Sequence, residues 1–284
     1  MVKKSLNMKK LDLGFVQGRM SNTPSKKILQ FFPQENWQKE FLYASKNNFR
    51  FIEYFVERKF NKNNPFWSTQ GLNQIKYLAK RYNLINYSFC DDYFINHSFL
   101  SLKNFKKYTN TIIKNLSSLN IKIYILALLE KSNITKKNFK KFVPRLKDFS
   151  NKLNKKKIKL ALETNLDNLN LKKLILLINK QNFSLVYDTG NRFNKKKSQY
   201  KDIIDLDKFI SHIHLKDKNS NGKNVVLGSG KVNFKNIFKA LKEINYSGKY
   251  TFETNRGLEP VKTMRKNRDY ILKIVNSLKK SKRF

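Results

Sequence analysis

At 284 residues, 40% hydrophobic and 13% aromatic, the chain suits one large domain with a sizeable core and lies far from disordered composition. A single cysteine, Cys90, rules out an intrachain disulfide and a cysteine-rich metal centre, and no window approaches the apolar length of a membrane span, so a reducing cytoplasm fits best. The net charge of +40 invites nucleic acid as a partner, but only ten of the 60 basic residues are Arg, and the lysines lie beside Asn and Ile along the whole chain, as solvated positions do.

The amino-terminal stretch is basic but lacks the apolar core of a secretory signal. From there the apolar periodicity alternates between two kinds. A β-branched and aromatic run at Leu11–Gln17 predicts the first strand. Trp37–Lys46, with Phe41, Leu42 and Ala44 on one face, predicts the helix after it. A strand at Phe49–Val56, a helix at Leu72–Arg81 and a strand at Ile85–Cys90 follow. The next helix, Phe105–Leu119, carries Tyr108, Ile112, Ile113 and Leu116 as one apolar stripe. Further strands fall at Ile121–Leu129, Ile158–Glu163, Phe183–Asp188, Phe209–Leu215 and Tyr250–Glu253. Helical spacing separates them at Asn138–Leu153, Leu171–Asn179, a shorter stretch at Asp202–Lys208, and Phe234–Ile244; Val261–Leu278 closes the pattern. A lysine-rich tail over 279–284 is expected to be disordered. Eight strand–helix units with no linker or repeat predict parallel strands, and at this length a single (β/α)8 TIM barrel over 1–284. The first strand leads into no GxGxxG loop, which argues against a doubly wound dinucleotide fold.

The chain has only 20 acidic residues, so their placement is informative. Glu57, Asp91, Asp92, Glu130, Glu163, Asp188, Asp217 and Glu253 all fall at or just past the carboxyl ends of the expected strands, the face on which barrel active sites are built. The last four strands carry the sharpest set: Glu163 in ALETN, Asp188 in VYDTGN, His212 and His214 in HIHLKD, and Glu253 in TFETN. Three carboxylates and one imidazole, from Glu163, Asp188, His214 and Glu253, suit one divalent ion of the Mn²⁺, Mg²⁺ or Co²⁺ kind, with Zn²⁺ admissible. His212 shares a strand face with His214 and lies deeper, where a hydrogen-bonded core histidine is expected.

These segments resemble the xylose isomerase-like barrel superfamily, which includes sugar isomerases, ketose 3-epimerases and type IV endonucleases. The resemblance covers nearly the whole chain. It rests on the Glu, Asp, His, Glu order, spaced here by 25, 26 and 39 residues, together with GFVQGRMS, FIEYFVE, HIHLKD, VVLGSGKVNF and YSGKYTFETNRG. It implies that Glu163 and Glu253 are both metal ligands and the acid/base pair of a sugar or sugar phosphate isomerase or epimerase. The chemistry is coherent by itself: a metal chelated by a carbonyl and its neighbouring hydroxyl acidifies the C–H between them, and one carboxylate removes the proton to give an enediolate that the other reprotonates. Arg19, Lys216 and Arg256, beyond strands one, seven and eight, are expected to hold a phosphate or carboxylate of the substrate, Glu130 a sugar hydroxyl, and Asn191 is a further substrate-binding candidate. Asp92 and Tyr93 are further candidates for substrate contact, and His97 is read as a loop residue.

Two departures separate the chain from ketose 3-epimerases. Asn191 stands where they carry a His three residues after the metal-binding Asp, and their Arg after the His-x-His segment has no counterpart beyond Lys216 or Lys218. A dehydratase or lyase with the same enolate chemistry is the nearest alternative. A DNA-repair endonuclease of the superfamily needs three zinc ions and more histidines than His97, His212 and His214. Nucleic acid and membrane are therefore not expected as partners, and homo-oligomerisation stays open.

Overall fold

The computed structural model describes residues 11–24 and 30–280. Eight parallel strands close into a barrel: β1 (Leu13–Val16), β2 (Phe51–Val56), β3 (Ser88–Asp91), β4 (Ile123–Ala127), β5 (Lys159–Glu163), β6 (Phe183–Asp188), β7 (Ile210–Leu215) and, after a small hairpin of β8 (Asp217–Lys218) and β9 (Asn224–Val225), β10 (Lys249–Phe252), which pairs with β1. The helices are α1 (Lys39–Lys46), α2 (Thr69–Arg81), α3 (Tyr93–Asn96), α4 (Phe105–Ser118), α5 (Phe139–Asn154), α6 (Asn168–Ile178), α7 (Gln199–Leu206), α8 (Phe234–Glu243) and α9 (Pro260–Lys280). The expected TIM barrel is thus the fold. Among the described residues no helix is long and apolar enough to cross a membrane.

Local chemistry sets the ends of these elements. Ser68, Asp167, Ser198 and Asn233 each accept a backbone N–H of the helix they open. The chain has nine glycines, and it ends helices mostly with asparagine: Asn48, Asn83, Asn120, Asn179 and Asn245 follow α1, α2, α4, α6 and α8 with positive φ, the conformation that terminates a helix. Ser198 also explains why α7 begins before the expected Asp202; the helix stops at Leu206, and a 3-10 turn fills Asp207–Phe209. The short hairpin and α3 have too few residues for a periodic signal. The helix continues to Lys280, so the first two residues of the expected lysine-rich tail are helical; 281–284 lie outside the described residues.

Packing divides into two layers. Residues of one strand parity meet the helices, with Phe41 of α1 stacked on Tyr54 and with Phe66 and Tyr124 flanking Phe89. The other parity fills the barrel. Its floor is the Phe51 ring beside Tyr87 and His212, and Gly14 is required there, since a Cβ would stand 2.3 Å from that ring. Above the floor the interior turns polar. Asp188, His214 and Thr251 lie at one level across β6, β7 and β10.

Candidate metal centre

Each ligand candidate is delivered by strand parity. Ala161 and Glu163, Val186 and Asp188, His212 and His214, and Thr251 and Glu253 are i, i+2 pairs, so each ending strand turns its last inward residue to the mouth. Glu163, Asp188, His214 and Glu253 are all buried, and one ligand atom from each lies within 4.8 Å of every other. His214 Nδ1 stands 3.1 Å from Glu253 Oε2 and 3.6 Å from Glu163 Oε2. His214 Nδ1 and Asp188 Oδ2 are both buried and face charged groups of the cluster, Nδ1 the carboxylates of Glu253 and Glu163 and Oδ2 the Lys216 ammonium. Three carboxylates and an imidazole crowded to this degree fit a cation of the oxygen- and imidazole-binding kind.

The neighbours of the quartet are equally ordered. Asp188 Oδ1 accepts the Gly190 and Asn191 amides at 2.8 and 2.7 Å, so one oxygen caps the turn and leaves Oδ2 for the centre. Asn191 Nδ2 donates to Glu163 Oε1 at 2.8 Å. The buried Lys216 ammonium lies 2.7 Å from Asp188 and 2.9 Å from Glu253. Its chain passes over Gly190, where a Cβ would meet Lys216 Cγ at 2.7 Å. The Thr189 hydroxyl anchors it by donating to the Lys216 carbonyl and accepting from its amide.

Arg19 and Arg256 cross between loops. Arg19 Nη1 donates to the Thr254 carbonyl at 2.9 Å and its Nη2 lies 3.4 Å from Glu253, while Arg256 Nε donates to the Gly18 carbonyl at 2.6 Å. The two guanidiniums thus clasp the loops after β1 and β10. Glu130 stands on the rim, paired at 2.9 Å with Arg58, and 56% of its side chain is exposed. His97 stacks on the Tyr93 ring at 3.8 Å, and its Nδ1 faces the Tyr93 carbonyl. Tyr93 is half-buried on Tyr108.

Sequence reasoning missed Glu53. This carboxylate lies midway along β2 and is fully buried. Its Oε1 is 3.0 Å from His214 Nε2, and its Oε2 meets His212 Nε2 at 3.0 Å while accepting from Ser88 Oγ at 2.7 Å and Thr251 Oγ1 at 3.1 Å. It therefore holds the far nitrogen of His214 and turns Nδ1 to the quartet, the carboxylate–histidine arrangement that orients metal-binding imidazoles. Glu53, His212 and His214 themselves form a second cluster of potential ligands, but Glu53 Oε2 is already occupied by three protein donors. The signal was available: an acid flanked by Phe51 and Phe55 at inward parity in FIEYFV.

Electrostatics follow from burial and neighbours. Burial, together with Asp188 and Glu253 and against His214, raises Glu163 to about 7 in the metal-free chain. Burial pushes Glu253 up as well, but Lys216, His214 and Arg19 outweigh it and hold it well below the usual carboxylate range. Burial disfavours charge on His214, yet Glu53, Glu253 and Glu163 raise it well above an ordinary imidazole. A cation held at Nδ1 would have to displace a proton from the imidazole, which would link its uptake to pH.

Residues 41–274 match the xylose isomerase-like TIM barrel family, and the chain belongs to it. No curated protein matches by sequence. Among solved structures, D-psicose 3-epimerase with D-tagatose from Clostridium cellulolyticum H10 superposes with a TM-score of 0.74 at 14% identity, covering 93% of this chain and 99% of that one. L-ribulose 3-epimerase gives 0.76 at 14% identity, over 96% and 97% of the two chains. A xylose isomerase-like barrel protein from Mycobacterium smegmatis, in complex with magnesium, gives 0.69 at 15% identity over 94% and 96%. At such identities these likenesses define the fold.

Proposed function

We propose that the chain is a divalent-metal-dependent isomerase or epimerase of a small sugar or sugar phosphate, working by proton transfer next to a carbonyl. The observation that carries this reading is the convergence of three carboxylates and one imidazole within 4.8 Å at the mouth of a barrel. Glu163, Asp188, His214 and Glu253 would hold the ion; hard oxygen donors favour Mn²⁺, Mg²⁺ or Co²⁺, and Zn²⁺ is admissible. When bound, the ion supplies Lewis acidity that makes the C–H beside the carbonyl removable.

The protein side chains supply the rest. Glu253, held ionised by Lys216 and Arg19, is the base, and Glu163, steadied by Asn191, returns the proton. Lys216 and Arg19 offset two of the three quartet carboxylates and, with a divalent ion, favour the negative charge that builds on the substrate oxygens. Asn191 takes the position next to Glu163 that a second histidine would occupy, and it holds the carboxylate without titrating. The cup has no additional histidine for a three-zinc nuclease centre, because His97 is stacked outside it and His212 lies beneath it.

The test is solvent-deuterium incorporation into free and phosphorylated ketoses, with one divalent ion per chain measured by elemental analysis. Exchange should require the metal, and Glu163→Gln and Glu253→Gln should each abolish it. Retention of full exchange by both variants refutes the assignment, and net loss of water from the substrate would replace it with the dehydratase reading.

A further inference from the structure

We propose that Asp92 is the specificity-determining residue of this cup, accepting a hydrogen bond from a substrate hydroxyl and excluding an anionic group from that wall. The inference deepens the sugar reading above and rests on it.

Strand β3 places the side chain. Ser88 donates to Glu53 inside the barrel, whereas Asp91 faces the helices and takes hydrogen bonds from Tyr124 and Tyr108. Two residues on from Ser88, and two more, Cys90 and Asp92 return to the inner face, where Cys90 Sγ lies 3.5 Å from Asp92 Oδ1. Asp92 is only 3% exposed, and its Oδ2 is buried with no hydrogen-bond partner. It occupies the N-cap position of α3 but its side chain caps nothing, so the usual structural duty of an aspartate there is absent. Nor does it belong to the metal quartet.

Burial raises the Asp92 carboxyl to about 6, with Glu253 of the cup adding to the rise and Cys90, Arg58 and Lys216 working against it. A buried acceptor without a donor is costly to the fold, and it marks a place where a ligand completes the hydrogen bonding. A sugar hydroxyl supplies the missing donor. A phosphate does not, because it brings two negative charges against a carboxylate.

The cations and amides of the same face point the same way. Arg19 and Arg256 donate to the carbonyls of Thr254 and Gly18, and Lys216 sits between Asp188 and Glu253. The glycine-rich loop after β9 is no phosphate cradle either: the amides of Gly228 and Gly230 both donate to Asp217 Oδ2, at 2.9 and 3.0 Å.

The experiment measures binding apart from turnover. The Mn²⁺-loaded protein is titrated calorimetrically with a panel of free ketoses and their phosphates, for the wild type, Asp92→Asn and Asp92→Ala, and melting temperature is recorded for each. The wild type should bind the best free ketose at least tenfold tighter than its phosphate. Asp92→Ala should weaken the free ketose by roughly 10- to 100-fold, the loss expected for one hydrogen bond to a charged group. Asp92→Asn should narrow the gap between ketose and phosphate. Neither variant should melt lower than the wild type, since each removes a buried charge without a hydrogen-bond partner on Oδ2. Unchanged ketose binding in both variants, a wild-type preference for phosphates, or a drop in melting temperature that accounts for the lost affinity would each overturn the proposal. The sugar reading fails separately: if ketoses bind in an Asp92-dependent way but exchange no deuterium, the proton-transfer assignment falls and the role of Asp92 stands.

Discussion

Both halves of the barrel carry acids toward the mouth, but they use them differently. In the half built from β5, β6, β7 and β10, Glu163, Asp188 and Glu253 turn inward and meet His214 around one point. In the half built from β1 to β4 the acids disperse. Asp91 faces outward and gathers the Tyr124 and Tyr108 hydroxyls, and Glu57 takes the side-chain amides of Asn61 and Asn64 in the loop after β2. Glu130 pairs with Arg58 on the rim. Glu40 of α1 reaches into the loop after β1, where it accepts from the Gly18 and Met20 amides and the Ser21 hydroxyl. A difference of one residue in strand parity decides which use prevails, as Asp91 and Asp92 show side by side. One half gathers its acids around one point and the other mostly spends them on the loops that shape the mouth, with Glu53 and Asp92 the inward-facing exceptions.

Substitutions in the converging half should give the largest effects. His214→Ala or Asp188→Asn should weaken Mn²⁺ binding by more than about 100-fold in calorimetric titration, since a ligand costs more than a residue behind a ligand, whose loss typically costs about 10- to 100-fold. Glu53→Gln tests that second range: metal affinity should fall by about 10- to 100-fold, because His214 loses the carboxylate that fixes its orientation. An unchanged affinity in Glu53→Gln would show that the barrel walls alone orient the imidazole.

The outward-facing acids of the dispersed half should respond in stability and leave the metal alone. Tyr124→Phe removes a buried hydroxyl from Asp91 and should cost about 1.5 kcal/mol in urea unfolding, with Mn²⁺ affinity unchanged within about twofold. If metal affinity falls instead, the two halves are coupled and the contrast between them is false.

The remaining effect concerns pH. Burial raises Glu40 to about 7 from 4.5, and Asp91 to about 7 from 3.8, despite the donors each accepts. The folded chain then binds more protons than the unfolded chain between the two values, so each group's contribution to stability falls as pH rises through that interval and levels off above about 7. The slope is at most about 1.4 kcal/mol per pH unit per group. Glu40→Gln should flatten the metal-free stability profile between about pH 4.5 and 7; an unaltered slope would remove Glu40 from the account.

Much of this molecule was legible in the sequence because parallel strands and their helices write distinct periods. The eight barrel strands, the order of helices and the barrel class follow from alternation of those periods alone. Legible too were the residues that end strands β5 to β7 and follow β10, since an acid or histidine after an apolar run stands out in a chain with 20 acids and three histidines. The start of α7 and the β8–β9 hairpin were not, because a cap and a two-residue ladder carry no period. Tertiary structure alone decided the partners. Glu53 sits inside an apolar strand, 159 residues from the His212 it meets, and only closure of the barrel brings them together. Arg19, Lys216 and Arg256 read in the sequence as cations for a substrate anion; the crossing of the loops after β1 and β10 gives the two arginines carbonyl partners, and Gly190 lets Lys216 lie among the carboxylates. Sequence periodicity encodes which face a residue takes, whereas which charge waits on that face depends on strands that are distant in the chain and adjacent only once the sheet has closed.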